Sequence, residues 1–160
     1  MNIRHASLAD LESITAIESA CFPEAEAAKK KDFEARLQVY PECFWVLCNQ
    51  NVMIGFVNGF VTDQKNLTDE MYENAKMHDP KGDWQMIFGV NTLPEYRRKG
   101  FAEKILNQVI LDARQQGRKG LVLTCKDALR HYYAKFGFVD EGISESMHGN
   151  VIWYQMRLTF

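Results

Sequence analysis

Apolar residues recur along this chain in two periods, and the alternation of those periods predicts its elements. Asn2 to His5 reads as a short opening strand, and Ser7 followed three residues on by Asp10 has the form of a capping box. Leu8, Leu11, Ile14, Ile17 and Cys21 are three or four apart, which puts them on one helical face that Pro23 closes. Phe33 and Leu37 support a shorter helix over Lys29 to Gln38. Phe44 to Cys48 and Met53 to Val57 flank the polar turn Asn49-Gln50-Asn51, which predicts an antiparallel hairpin.

From Thr62 to Asp83 the chain turns polar, with Asp79-Pro80-Lys81-Gly82 marking a connection and a helical turn fitting Glu70 to Lys76. Trp84 to Asn91 reads as one apolar strand. Gly100 to Gln116 is strongly periodic, with Ala102, Ile105, Leu106, Val109, Ile110 and Ala113 on one face and Gly117 as its stop. Leu121 to Thr124 is a continuous apolar run suited to mid-sheet, where both faces are covered. Asp127 can cap a helix from Ala128 to Phe136 that Gly137 ends, and Phe138-Val139 and Val151 to Leu158 supply closing strands. The order describes a mixed α/β sheet with helices on both faces, with a right-handed crossover between Trp84 and Thr124.

Composition narrows the functions open to such a fold. At 160 residues the chain fits a single domain, residues 1–160, and its hydrophobic fraction of 46% can fill a core. A net charge of -2 offers no basic field for nucleic acid. No apolar run is long enough for a membrane span and the start lacks a signal peptide, so a cytoplasmic location is expected. Cys21, Cys43, Cys48 and Cys125, like His5, His78, His131 and His148, are scattered without metal-ligand spacing, so no metal is expected.

The segment Val90-Asn91-Thr92-Leu93-Pro94-Glu95-Tyr96-Arg97-Arg98-Lys99-Gly100-Phe101-Ala102 runs from a strand end through a basic turn into a helix start. Free N–H groups and the positive end of a helix dipole can hold a pyrophosphate there. Gly100 permits close backbone approach, and Ala102 permits close helix packing. The plain alternative is a basic turn with an ordinary cap.

Pro94 to Ala102 resembles the acetyl-CoA motif of the GNAT superfamily, Arg/Gln-x-x-Gly-x-Gly/Ala preceded by Pro-x-Tyr. Cys125-Lys126-Asp127-Ala128-Leu129 followed by Tyr133-x-x-Phe136-Gly137-Phe138 is similar to the second half of that family's core, and in particular to its arylalkylamine (serotonin-type) branch. Ile17 to Ala28 resembles microbial members of that branch more loosely, and the resemblance is sharp from about Trp84 to Phe138.

The resemblance implies a GNAT fold with a mixed central sheet of about six to seven strands, acetyl-CoA as cosubstrate, and acetyl transfer to a primary amine in a ternary complex. The backbone of Val90 and Thr92 would pair with the pantetheine arm, with the Val90 N–H near the acetyl carbonyl. N–H groups from Arg98 through Lys99, Gly100 and Phe101 to Ala102, with the Arg97 side chain, would hold the pyrophosphate. Tyr133 would protonate the departing thiolate, although a tyrosine sharing a stripe with Leu129, Tyr132 and Phe136 is equally a core residue by position.

The pattern departs from the branch at one place. Where the animal enzymes relay a proton through two histidines, Met86 and Phe88 stand here, and neither accepts a proton. Asp83 is the leading candidate base, with Glu24, Glu26 and His78 behind it. Phe22, Phe44, Trp45, Tyr72 and Trp84 are candidates to line an apolar pocket. The expected partner is a small-molecule amine, with no nucleic acid or membrane, and the protein would be a monomer or a homodimer. A protein or peptide N-acetyltransferase and a catalytically silent acyl-CoA sensor are the alternatives.

Overall fold

The structure, a computed structural model, describes residues 1–160 and forms an α/β fold of nine strands in two sheets. The chain divides into two compact units, Met1–Gly59 with Gly89–Val109, and Phe60–Phe88 with Ile110–Phe160.

The first unit carries a four-stranded sheet in the order β1-β2-β3-β6, antiparallel throughout, formed by β1 (Asn2–His5), β2 (Phe44–Asn49), β3 (Val52–Asn58) and β6 (Gly89–Thr92). The hairpin turns at Gln50-Asn51, with Gln50 at φ 56°. Helices α1 (Leu11–Cys21) and α2 (Lys30–Val39) contribute Ile14, Ile17, Phe33 and Leu37 to a core closed by Phe44, Ile54 and Phe56. Three of these aromatic rings meet within 6.4 Å of one another. Leu8 is not part of this face. A short 3-10 turn, Leu8–Asp10, precedes α1 and rotates Leu8 outward to 49% exposure. The start is held as its sequence suggests, the Ser7 N–H donating to Asp10 Oδ2 at 2.9 Å. Arg4 clamps the same carboxylate through two bonds of 2.9 Å and holds its pKa below the usual range.

The second unit carries a five-stranded mixed sheet in the order β4-β5-β7-β9-β8. Its strands are β4 (Val61–Thr62), β5 (Trp84–Ile87), β7 (Gly120–Cys125), β8 (Val139–Ile143) and β9 (Tyr154–Thr159). Strand β7 is central, parallel to β5 and antiparallel to β9, as its apolar run predicts. Met86, Leu121, Val122, Leu123 and Met156 form the sheet's buried layer. The polar connection holds a short α3 (Asp69–Glu73) and a 3-10 turn, Ala75–Met77. The helix expected from Ala128 is shorter. Asp127–Leu129 is a 3-10 turn, α5 covers only Arg130–Ala134, and the Asp127 carboxylate binds Arg130 at 2.6 Å instead of capping.

A further correction concerns the sheet. The apolar run from Trp84 to Asn91 is two strands, not one, because the chain leaves β5 at Phe88 and enters a different sheet at Gly89. Periodicity cannot register that break, since neither strand alternates polar and apolar residues in step with its burial. The nine strands accordingly pair in two sheets, close to the mixed sheet with helices that the sequence predicts. Helix α4 (Phe101–Gln115) lies between β6 and β7 in sequence, and Gly117 follows it at φ 78°.

Candidate active site

Strand β6 ends its sheet, paired on one side only, with β3. The Leu93 N–H donates to the Ile54 carbonyl at 2.9 Å, so by the strand's period of two the N–H groups of Asn91 and Gly89 also face β3. Those of Val90 and Thr92 therefore face the unpaired edge. This is the polarity needed for an extended amide chain to add to β6. Gly55 lets β6 approach β3 this closely, since a β-carbon there would stand 2.5 Å from the Asn91 carbonyl oxygen.

The Thr92 carbonyl on that edge accepts two hydrogen bonds, from Arg97 Nε at 3.1 Å and from the Cys21 thiol at 3.3 Å. Burial raises the Cys21 pKa, with Arg97 pulling the other way, so the thiol keeps the proton it donates. Arg97 is thereby tethered at the mouth of the turn. Pro94–Tyr96 forms a 3-10 turn, Arg98 takes φ 63° and Gly100 φ 82°, and α4 begins at Phe101. Two left-handed residues in three curl the backbone so that successive N–H groups converge, the concave arrangement that binds anions. The first N–H groups of the 15-residue α4 have no intrahelical partner and add the helix's positive end. Arg97, Arg98, Lys99 and Gly100 are exposed, Phe101 and Ala102 half-buried.

Tyr133, in the second unit, is 7% exposed, with its ring 5.1 Å from Tyr132 and 6.1 Å from Phe138. Burial, reinforced by Tyr132 and Cys125, raises its pKa well above the ordinary phenol, so it is a protonated donor at neutral pH. The stripe expected around it is incomplete, because Leu129 is 43% exposed. Cys125 Sγ donates to Met156 Sδ at 3.6 Å, and burial pushes its thiol up to about 11. A thiol so protonated is no nucleophile.

Asp83 precedes the first residue of β5, at the strand end away from Phe88, and binds Lys119 at 3.1 Å. His78 accepts the Val61 N–H at Nδ1 at 3.1 Å, Glu24 is exposed and Glu26 is buried. Of the aromatic candidates, Phe44, Trp45 and Trp84 are core residues and Phe22 is half-buried. Tyr72 belongs to a half-buried aromatic group whose other members escaped the sequence reading because they are distant in sequence. Its ring lies 4.8 Å from Phe88 and stacks on His148 at 5.3 Å and 8°. His148 in turn meets Trp153 at 6.1 Å, and Phe60 meets Phe88 at 5.1 Å. Tyr72, Phe88, His148 and Trp153 are half-buried, and the Tyr72 hydroxyl meets Thr124 Oγ1 at 3.3 Å at the C-terminal half of β7.

Sequence reasoning also missed a buried polar group in the first unit. Glu18, four residues after Ile14 on the core face of α1, is 7% exposed and accepts the Ala28 N–H at Oε2 at 2.9 Å. Asn58 and Asn91 are buried as well, and the buried Arg36 donates to Asn58 Oδ1 at 2.9 Å. A carboxylate at i+4 from a core isoleucine is a signal the spacing did contain.

Residues 11–138 match the Acetyltransferase (GNAT) family. No curated protein matches the chain in sequence. Among solved structures, the GphF GNAT-like decarboxylase in complex with isobutyryl-CoA is 21% identical, with TM-score 0.85 over 99% of both chains. The ribosomal-protein-S18-alanine N-acetyltransferase from Escherichia coli is 19% identical, with TM-score 0.73 over 99% of this chain and 92% of that one. The PaiA N-acetyltransferase from Thermoplasma acidophilum in complex with coenzyme A is 14% identical, with TM-score 0.74 over 99% and 98%. No helix is long and apolar enough to cross a membrane. With the family matched over most of its length and the fold shared from end to end, this chain belongs to the GNAT acetyltransferase family.

Proposed function

We propose that this protein transfers the acetyl group of acetyl-CoA to a primary amine, an arylalkylamine or another small amine. The observation that carries the reading is the β6–α4 connection, where an open strand edge leads into a left-handed anion turn with Arg97 tethered beside it. Val90 and Thr92 would pair with the pantetheine amides, and the Val90 N–H would stabilise the oxyanion formed when the amine attacks the thioester. The N–H groups and cations from Arg97 through Arg98, Lys99, Gly100 and Phe101 to Ala102 would take the pyrophosphate. Tyr133, kept protonated by burial, would donate to the sulfur as the C–S bond breaks.

The aromatic group of Tyr72, Phe88, His148 and Trp153 supports an aryl-bearing acceptor, since half-buried rings offer a flat apolar surface to another ring. Asp83, the base expected from sequence, stands at the far end of its strand and is engaged by Lys119, which is a reason to seek the proton acceptor elsewhere.

The test is release of CoA thiol from acetyl-CoA with tryptamine, phenylethylamine, spermidine and a lysine peptide. Turnover confined to the aryl amines is the expected result. Turnover with the peptide alone would assign a protein acceptor, and acetyl-CoA binding without turnover would assign a sensor. A second reading, decarboxylation of an acyl-CoA, is supported by the likeness to the GphF decarboxylase over the whole of both chains. Release of CO2 from an acyl-CoA bearing a β-carboxylate, without any amine, would establish it.

A further inference from the structure

Gly89, the first residue of β6, is half-buried, and three polar side-chain atoms surround the point where any other residue would carry its β-carbon. Asn91 Nδ2 lies 3.2 Å from that point, and Asn58 Nδ2 and Glu18 Oε1 each 3.8 Å. Asn91 is fully buried, yet neither its amide oxygen nor its amide nitrogen has a hydrogen-bond partner in the chain. A buried amide left so is uncommon in folded proteins and points to a polar group that comes from outside the chain.

The three residues are held by separate elements. Glu18 is fixed on α1 and by the Ala28 N–H, Asn58 by Arg36 of α2, and Asn91 by its place in β6. Titratable or charged groups around Glu18 include Cys21 on its own helix, whose thiol feels the Glu18 charge, and Arg36, which reaches the group through Asn58. Strands β3 and β6 contain no titratable residue. The point beside Gly89 is therefore faced by one carboxylate oxygen, which can accept a proton, and by two amide nitrogens, which can donate to a water or to a neutral amine's lone pair. It adjoins Val90, the proposed oxyanion donor.

We infer that Glu18 takes the proton of the incoming ammonium beside Gly89, directly or through a water to which the Asn91 and Asn58 amides donate. The inference rests on the amine-acetylation reading above. The ammonium gives one proton to the carboxylate and becomes a neutral amine whose lone pair forms the C–N bond at the thioester carbon. The C–S bond breaks, the sulfur leaves with its electron pair and is protonated, and the amide nitrogen loses its second proton. Glu18 then returns its proton to solvent, so that the net products are the amide, CoA thiol and one proton.

The experiment compares the protein with Glu18→Gln and Glu18→Asp, using two phenylethylamine-type acceptors. One has an ordinary amine pKa of about 10 and the other, fluorinated beside the nitrogen, is already neutral at pH 7. The Glu18→Gln variant is expected to lose about 100-fold in kcat/KM for the basic amine at pH 7. Its deficit shrinks tenfold or more for the neutral amine, and shrinks for the basic amine as pH rises toward its pKa. Glu18→Asp recovers part of the rate, and the acetyl-CoA Kd stays within twofold in both. An equal loss with both amines at every pH, or no loss, overturns the inference. Should Glu18→Gln show no melting transition, Gly89→Ala serves instead, its methyl entering the polar group. A raised KM for the basic amine with an unchanged acetyl-CoA Kd is then expected, and an unchanged KM overturns the inference. Lack of turnover in the unaltered protein, with acetyl-CoA bound, overturns the amine reading itself and this inference with it.

Discussion

Single residues set the chemistry proposed here, and one of them acts through what burial does to a proton. Tyr133 is nearly inaccessible, so its phenol stays neutral through the physiological range and is available as a donor without an acid partner. Replacing it with Phe removes one hydroxyl from a packed ring. We expect kcat to fall by about 100-fold with the acetyl-CoA Kd within twofold, read by thiol release and calorimetry. Arg97 works in the opposite regime, exposed at its tip but tied to the Thr92 carbonyl by Nε. Arg97→Ala is expected to weaken acetyl-CoA about tenfold, a loss of about 1.4 kcal/mol. Because the charge is solvent-exposed, the difference between the two proteins should narrow between 50 and 500 mM salt, roughly in line with the shortening Debye length.

At the scale of elements, two glycines near the site are required for different reasons, and their substitutions should separate those reasons. Gly55 has an ordinary backbone but no room, since a β-carbon would meet the Asn91 carbonyl oxygen at 2.5 Å. Gly55→Ala should push β6 away and destabilise the protein by about 2 kcal/mol, seen as a lower denaturant midpoint at unchanged slope. Gly100 has open space but takes φ 82°, so its requirement is conformational. Gly100→Ala should therefore harm acetyl-CoA binding more than Gly100→Asn, because asparagine tolerates the left-handed region better. A calorimetric Kd series of Gly, Asn and Ala checks the order. The helical faces, the hairpin, central β7 and the basic turn before α4 were all legible in sequence, because each rests on local spacing. What stayed hidden is non-local. The break at Phe88 depends on which sheet each half of an apolar run joins, and the ring group of Tyr72, Phe88, His148 and Trp153 assembles side chains up to 81 positions apart. Asp83 is a candidate base by sequence because it borders an apolar strand, and the structure places it at the end of β5 away from Phe88. Which end of the strand matters is a property of the sheet.

The whole molecule carries a signature of its two deeply buried tyrosines. Burial raises the phenol pKa of both Tyr40 and Tyr133 above their unfolded value of about 10. Between that value and the raised folded ones, the unfolded chain releases two protons that the folded protein keeps. Stability contributed by the neutral phenols is complete below about pH 10 and is lost as pH rises above it, by about 1.4 kcal/mol per pH unit for each ring. Denaturant titrations carried from pH 9 to above pH 11 should show the contribution of these two rings to the slope rising from near zero toward two protons, and that contribution halved in Tyr40→Phe or Tyr133→Phe. A slope unchanged by both substitutions would refute the assignment. Acetyl-CoA at 100 times its Kd should add about 2.7 kcal/mol at neutral pH, raising the thermal midpoint.

The unpaired side of β6 has one more consequence, for the protein's behaviour in the test tube. A bare strand edge is a template on which another chain can build, and proteins blunt such edges to stay dispersed. Arg97 and the Cys21 thiol already occupy the Thr92 carbonyl, removing one rung from that template. A coenzyme lying along the strand would remove the others, so the cosubstrate would also act as a stopper against self-association, and preparations kept in its presence should remain clear for longer.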